Sequence, residues 1–311
     1  MRRKIGLRLV SVIITMLLAS LAIYSLGYFS LGDSSSLLFS EDASSKAISN
    51  YISDNSRGYL TGYFGYLKAF FSLNWGRTIS GQSVKSVILS RLPITLSLAA
   101  GSLVLSSALF FSWAVLSEIR KGKTRKGAVL FSLFLMTMPS FMVAILAVIL
   151  FALLLGIFPV AGYIPLSISF AGHLRSMFLP MLSLALINSP VWLRIYRTEL
   201  EKIAQNEYSK SIIAQGGNDK DVVLLSALKP SLIFGVSLIA DSLVSSLAGS
   251  AVIETVFALP GLGSLMVSSA LSRDSGTATV LIMLIAVVSS AVYVLSEIIQ
   301  MAADPRLRRE A

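Results

Sequence analysis

Cysteine is absent from this chain of 311 residues, which excludes disulfides and thiolate metal sites and leaves the redox compartment unmarked. Charge is also scarce. Asp, Glu, Lys and Arg make up 14% of the residues against 55% hydrophobic ones, and the mean hydropathy is +0.78. Soluble domains are not built from such a mixture; it is the composition of a polytopic membrane protein. Histidine occurs once, at His173, so a histidine metal centre lacks the three or four donors it needs, and a capped or solvated His173 is expected. Neither His-Glu-x-x-His nor Gly-x-Ser-x-Gly occurs, which argues against zinc or serine hydrolysis within the membrane. Gly122-Lys123-Thr124 has the look of the end of a phosphate-binding loop. Ser117, however, stands where the first glycine should be, and no soluble strand precedes it, so the segment reads as a basic turn. No catalytic residue, metal site or cofactor is expected on this chain.

The net charge of +10 is distributed unevenly. Basic residues gather at Arg2 to Arg8, Arg120 to Lys126, Arg194 to Lys229 and Arg306 to Arg309, on alternate connections between apolar runs. Of the 26 Lys and Arg, 18 lie on these segments and 8 on the others. That is the positive-inside pattern of a membrane protein with both termini in the cytoplasm, and no nucleic-acid partner is implied.

Along the chain, Leu9 to Leu31 follows a basic start and is long enough to span about 30 Å of hydrocarbon. Ser20-Leu21-Ala22 is a small-x-small pattern of the kind a signal peptidase accepts, but the apolar run continues past it, so residues 1–31 read as an uncleaved anchor. Residues 32–92 form an outer loop, serine-rich and acidic at first, then aromatic from Tyr51 to Phe71 in the manner of an interfacial helix. Residues 93–311 form the core. Its spans are predicted over Pro93 to Leu116 with Pro93 in the first turn, over Ala128 to Leu155 kinked at Pro139, over Ser176 to Leu193, over Ser231 to Ile253, and over Thr277 to Ile299. Glu118 to Gly127 is expected to be a basic inward loop. The fold class is therefore all-α, with six transmembrane helices.

The longest polar interruption of the second half, residues 199–230, organises the core. Leu200, Ile203, Ala204, Tyr208 and Ile212 recur at spacings of three and four and predict a helix with one apolar stripe, ended by Gly216-Gly217. Asn218 with Asp221 caps a second short helix carrying Val222, Val223, Leu225 and Leu228, broken before Pro230. An apolar-faced helix pair on the water side needs a partner.

Carboxylates near hydrocarbon cost several kcal/mol unless paired, hydrated or neutral. Asp241 falls midway along the fifth span and Glu254 at its end. Two roles stand open for Asp241: a place on a water-filled path, or a hydrogen bond to serines of a neighbouring helix. Ser237, Ser242, Ser245, Ser246, Gly249 and Ser250 are small enough to let another helix approach the fifth span closely. The segment Glu254 to Gly263 is apolar yet broken by Pro260, Gly261 and Gly263, and is expected to fold back at membrane depth.

Several stretches carry a resemblance: Asn74 to Val84, Arg91 to Leu98, Pro139-Ser140-Phe141, Leu155 to Pro159, Ala214-Gln215-Gly216, Ala227 to Pro230, Glu254 to Phe257 with Pro260 to Gly263, Ser272-Arg273-Asp274 and Asp304-Pro305-Arg306. In this order they resemble the B-type permease subunit of the dipeptide, oligopeptide and nickel ABC importers, over roughly residues 5 to 309. Lys210-Ser211-Ile212 departs from that family's docking motif, and the serine-rich outer loop matches nothing in it. The resemblance implies a type I ABC-importer permease fold in a bacterial cytoplasmic membrane, forming half of a path for peptides or a similar small solute. It implies a second homologous permease, two cytoplasmic ATPases that hold ATP and Mg, and an extracytoplasmic binding protein. Glu207, Tyr208, Ile212, Ala214, Gly216, Val222 and Leu228 would then couple to the ATPase, with Tyr208, Ile212 and Val222 buried in its groove. Glu254 would fix the fold-back segment by accepting backbone hydrogen bonds. The rival function is an ion-coupled secondary transporter, which would carry several intramembrane acids or an inverted repeat; one mid-span acid and no evident repeat are found.

Overall fold

Prolines and glycines decide where the long apolar runs become separate helices. The computed structural model describes residues 58–120, 122–223, 228–272 and 274–303, with residues 10, 13–14, 17–22 and 24–25 of the first apolar run. Most of the expected first span, the serine-rich loop and the closing Asp304-Pro305-Arg306 lie outside the described residues. Among those described the chain is mostly helical, with one antiparallel bridge between Arg77 and Ser83.

The first fully described helix, α1, spans Tyr59–Phe71. Helix α2, Val84–Ser106, runs through a π-helical turn, Ser107–Phe111, into α3, Ser112–Arg120, giving one apolar stretch of 37 residues. Pro93 is thus the tenth residue of α2, not a first-turn residue as expected, because Val84 to Leu92 is itself helical. The basic loop expected over residues 118–127 is also replaced by helix. Helix α4, Gly122–Thr137, starts two residues after α3 ends, and Gly122 makes the turn at φ 54°. Lys and Arg are good helix formers, so the basic residues extend the helix ends instead of breaking them.

Pro139 does more than kink the third apolar run. It heads a new helix, α5, Ser140–Ala147, which continues as a π-helical stretch, Val148–Leu154, and lies at 109° to α4. Helix α6, Phe170–Ala204, by contrast passes through Pro180 and Pro190 unbroken. Pro190 has no N–H for the Leu186 carbonyl, and the Ser189 hydroxyl donates to that oxygen instead at 2.6 Å. Helix α7 is Glu207–Ala214, α8 is Asp219–Val222 and α9 is Leu228–Val256. Pro230 therefore sits in the first turn of α9 and does not end a helix as expected; first-turn N–H groups have no intrahelical acceptor, so proline costs little there. Helix α10 is Leu262–Leu271 and α11 is Ser275–Ala303.

Among the described residues three helices are long and apolar enough to cross a membrane, and up to five if each bent pair is one span. The chain is accordingly a multi-pass membrane protein, mostly helical among its described residues.

The described chain divides into two compact units, residues 1–93 with 264–290, and residues 94–263 with 291–311. In the first, tyrosines of α1 pair with serines of the first apolar run: Tyr63 with Ser20 at 2.8 Å and Tyr59 with Ser25 at 2.6 Å. Gly62 gives Tyr24 its place, since a Cβ there would lie 2.2 Å from the Tyr24 hydroxyl. Burial pushes the pKa of the Tyr66 hydroxyl above that of an ordinary phenol, and neighbouring Tyr63 adds to the shift.

In the second unit α6 is central, packed by α4, α5, α3 and α9. Leu98, Met177, Leu179, Leu184, Ile253 and Phe257 close one part of its core, and Phe110, Trp192, Tyr196 and Leu200 another. Helices α6 and α9 run antiparallel, as three contacts in register show. A Cβ on Gly235 would meet the Tyr196 hydroxyl at 2.0 Å, Trp192 Nε1 donates to Ser242 Oγ at 2.7 Å, and Asn188 Nδ2 donates to Ser246 Oγ at 3.0 Å. The small-residue face expected on the fifth span is thus a helix-packing face at Gly235, Ser242 and Ser246.

Candidate functional site

Helix α9 ends where its C-terminal carbonyls run out of helical partners, and the closure takes a specific form. Leu259 N–H donates to the Glu254 carbonyl at 2.7 Å and Ala258 N–H to the Thr255 carbonyl at 3.3 Å, with Ala258 left-handed at φ 52°. This is a Schellman closure with alanine in the position glycine usually fills. The chain then turns through Pro260 and Gly261 and starts α10 at Leu262. Gly263 comes to rest on α9 itself, where a Cβ would lie 2.5 Å from the Ala251 Cα and 2.6 Å from its nitrogen.

The Glu254 side chain, fully buried, fills the inside of this turn. A Cβ on Gly261 would stand 2.3 Å from its carboxyl carbon and 2.4 Å from each carboxyl oxygen, so the carboxyl group occupies the space an alanine methyl would need. Neither Gly261 nor Gly263 has a positive φ; both are required by close approach and not by backbone conformation. Thr95 of α2 completes the site. Its hydroxyl donates to Glu254 Oε1 at 2.8 Å and accepts from the Leu262 N–H, also at 2.8 Å. One hydroxyl thereby joins the end of α9 to the first residue of α10, whose N–H has no acceptor inside its own helix. Glu254 was expected to act on backbone N–H groups directly, and Thr95 had no expected role; the relay through Thr95 is the structural addition. Pro260 is exposed and only shapes the turn.

The 199–230 stretch is built from the same device. Gly216 is left-handed at φ 91°, its N–H donates to the Ile213 carbonyl at 3.0 Å, and the Gly217 N–H donates to the Ile212 carbonyl at 2.9 Å. Asn218 then caps α8 as expected: Oδ1 accepts from Lys220 N–H at 2.9 Å and Asp221 N–H at 3.1 Å, while Asp221 Oδ2 accepts from Asn218 N–H at 2.9 Å. Glu207 opens α7, where a carboxylate suits the helix N-terminus, and pairs with Lys210 at 2.6 Å. Tyr208 is 63% exposed and Ile213 54% exposed, and Ala214 is exposed beside them. Ile212 is half-buried, with Cγ2 2.6 Å from where a Cβ on Gly217 would stand. Val222 is only 3% exposed, because α8 packs on α7 and α3, so it cannot enter a partner's groove as expected. The large apolar residues of α7 turned outward are Tyr208 and Ile213. Leu228 begins α9, and its backbone alone is described.

Residues 111–309 match the family described as binding-protein-dependent transport system inner membrane component. A peptide transport system permease protein of Brucella abortus (strain 2308) is 33% identical over 245 residues, 78% of each chain. The same-named kind of protein in Brucella suis biovar 1 (strain 1330) is 33% identical over 244 residues, again 78% of each. The oligopeptide transport system permease protein OppB of Escherichia coli (strain K12) is 29% identical over 252 residues, 80% of each. The chain belongs to the family of binding-protein-dependent inner membrane components. It is an ABC-importer permease, and both elbows just described fall within the matched region.

Two further positions of the permease acquire a role from the structure. Asp274, which sequence reasoning noted only as part of a motif, caps α11 through Thr277 N–H at 3.0 Å and Thr277 Oγ1 at 2.8 Å. It also accepts from Ile79 N–H at 3.1 Å, tying the loop between Asn74 and Val84 to the start of α11. Asp241 is exposed, and its Oδ1 accepts from the Tyr293 hydroxyl at 3.1 Å; the serine partner weighed for it is not the one found. His173 is buried in a satisfied site, with Nδ1–H donating to the Ile164 carbonyl at 2.9 Å and Nε2 accepting from Ser97 Oγ at 3.2 Å. Among the described residues no group of three or more His, Asp and Glu could hold a metal ion.

Proposed function

We propose that this permease forms half of a peptide-translocation path. It pairs with a second homologous permease on two cytoplasmic ATPases that hold ATP and Mg, and takes peptide from an extracytoplasmic binding protein. It would cross the membrane six times with both termini inside, the arrangement that puts 18 of its 26 Lys and Arg on the cytoplasmic side. The peptide class follows the names of its relatives.

The observation that carries the coupling role is α7, a short helix held rigidly between a Schellman closure and the end of α6, with Tyr208 and Ile213 facing out. Closure of the ATPases would push on α7, and α6 and α9, locked in register, would tilt together. The test is purification of the tagged permease from its native membrane in mild detergent. Recovery of a second permease and P-loop ATPases, with ATP hydrolysis stimulated severalfold by peptide-loaded binding protein, is the expected result. A lone chain or homodimer without ATPase would instead favour ion-coupled transport.

Asp241 belongs to the path in this reading. A carboxylate exposed at mid-span is costly against lipid, so water or the second permease must cover that face. Asp241→Asn is expected to leave assembly unchanged and lower peptide uptake about tenfold, the cost of one altered polar contact of ~1.4 kcal/mol in the path. Equal uptake rates in the two proteins would remove Asp241 from the path.

A further inference from the structure

Where α4 begins, beside the end of α6, the surface opens into a cavity of about 510 Å³ lined by Gly122, Arg125, Lys126, Val129, Leu130 and Arg197. Its charges are not all available. Arg125 is paired with Glu201 at 2.7 Å, and the Glu118 carboxylate acts on it through space. Lys126 is exposed. Arg197 is half-buried, and its Nε is fully shielded from solvent yet meets no hydrogen-bond acceptor among the described residues. Arg197 lines the cavity and makes no ion pair among the described residues, so the charge of its half-buried guanidinium is open to a negative group from outside the chain.

The other side of the cavity is apolar and has a direction. Lys126, Val129, Leu130, Leu133 and Phe134 fall at spacings of three and four on α4, one turn after another. Leu130, Leu133 and Phe134 are all more than half exposed. Cations at the polar end of a membrane helix, followed by a greasy stripe running toward the hydrocarbon, match one molecule in shape and charge: a phospholipid with a net negative headgroup. A soluble anion would use the cations and leave the stripe bare. An acidic protein partner would do the same.

We propose that this cavity is a binding site for an anionic phospholipid, whose phosphate accepts from Arg197 and pairs with Lys126 while an acyl chain lies along Leu130, Leu133 and Phe134. The site is separate from both elbows and needs no substrate. It would hold α4 against α6 at the headgroup level.

The test uses the purified permease complex in nanodiscs made from equal parts phosphatidylglycerol and phosphatidylethanolamine, with retained lipid read by native mass spectrometry. Wild type is expected to retain phosphatidylglycerol in clear preference. Lys126→Gln should lower that preference about fivefold, and Lys126→Gln with Arg197→Gln about thirtyfold, at roughly one fivefold step for each cation near the surface. Lys123→Gln, an exposed change outside the cavity, should leave it unaltered. Lys126 is exposed, so its variant reports on binding even if the double variant folds poorly. Equal preference in wild type and Lys126→Gln would overturn the proposal. So would displacement of the lipid signal by millimolar inorganic phosphate, which would make this a free-anion site. Loss of ATPase subunits from the variants with lipid retention unchanged would overturn it too, and assign the cavity to a protein contact.

Discussion

Glu254→Ala is expected to lower uptake by more than tenfold and to destabilise the purified permease by roughly 3–5 kcal/mol, since it leaves the Thr95 hydroxyl without its acceptor and opens a cavity at a fully buried position. Gly261→Ala should cost about 1–3 kcal/mol by overpacking, because its methyl would stand 2.3 Å from the Glu254 carboxyl carbon. The two effects share one volume, so the double variant is the decisive one. With the carboxyl group gone, the alanine methyl has room, and the cycle should show a favourable coupling of about 1–2 kcal/mol. Costs that simply add, to within about 0.5 kcal/mol, would mean that Gly261 serves something other than the seating of Glu254. Thr95→Val tests the same joint from the other helix. It keeps the shape of the side chain and removes both hydrogen bonds, leaving the Leu262 N–H and Glu254 Oε1 each short of one partner.

That joint shows how far the chain could be read before it was folded. The break after Glu254 was legible, because Pro260, Gly261 and Gly263 cannot continue a span. The residue that makes the left-handed turn is instead Ala258, which carries no sequence mark, and the glycines serve contacts made across space. Thr95 is invisible for the same reason: 159 residues separate it from Glu254, and a lone threonine in a helix signals nothing. Local chemistry was read more faithfully. The Asn218 cap and the Gly216 closure depend on atoms within a few residues, and the structure has both. Misreadings came where proline was treated as a boundary. Pro93 lies inside α2 and Pro230 opens α9, because the residues before Pro93 are themselves good enough helix formers to extend the helix, and a helix's first turn can absorb the missing donor. Burial of Val222 was likewise out of reach, since α8 packs on α3, about a hundred residues earlier in the chain.

Tyr208→Asp and Ile213→Asp should each leave insertion and folding intact while reducing ATPase recovery about tenfold or more; Val222→Asp should reduce the folded protein itself. The distinction follows from where each side chain points. Tyr208 and Ile213 are 63% and 54% exposed, so a carboxylate there remains in water in the isolated permease and harms only a partner that would bury it. A buried Tyr or Ile anchor contributes roughly 1.5–3 kcal/mol to such an interface, about ten- to a hundredfold in affinity. Val222, at 3% exposure, would carry its charge into the packing between α8, α3 and α7, at several kcal/mol to the fold. Gly216 supplies a third, graded probe. Its φ of 91° suits glycine, is tolerated by asparagine and resists a β-branched side chain, and no atom lies within 4 Å of a Cβ built there. Any loss in Gly216→Val that Gly216→Asn spares is therefore a backbone effect, transmitted by a misdirected α7 and not by a clash. Measured side by side, uptake and ATPase recovery should fall together in Tyr208→Asp, Ile213→Asp and Gly216→Val, with the amount of permease in the membrane unchanged. If all three retain the ATPase and full uptake, α7 is a surface hairpin joining two spans, and the force of ATP hydrolysis must enter the permease elsewhere.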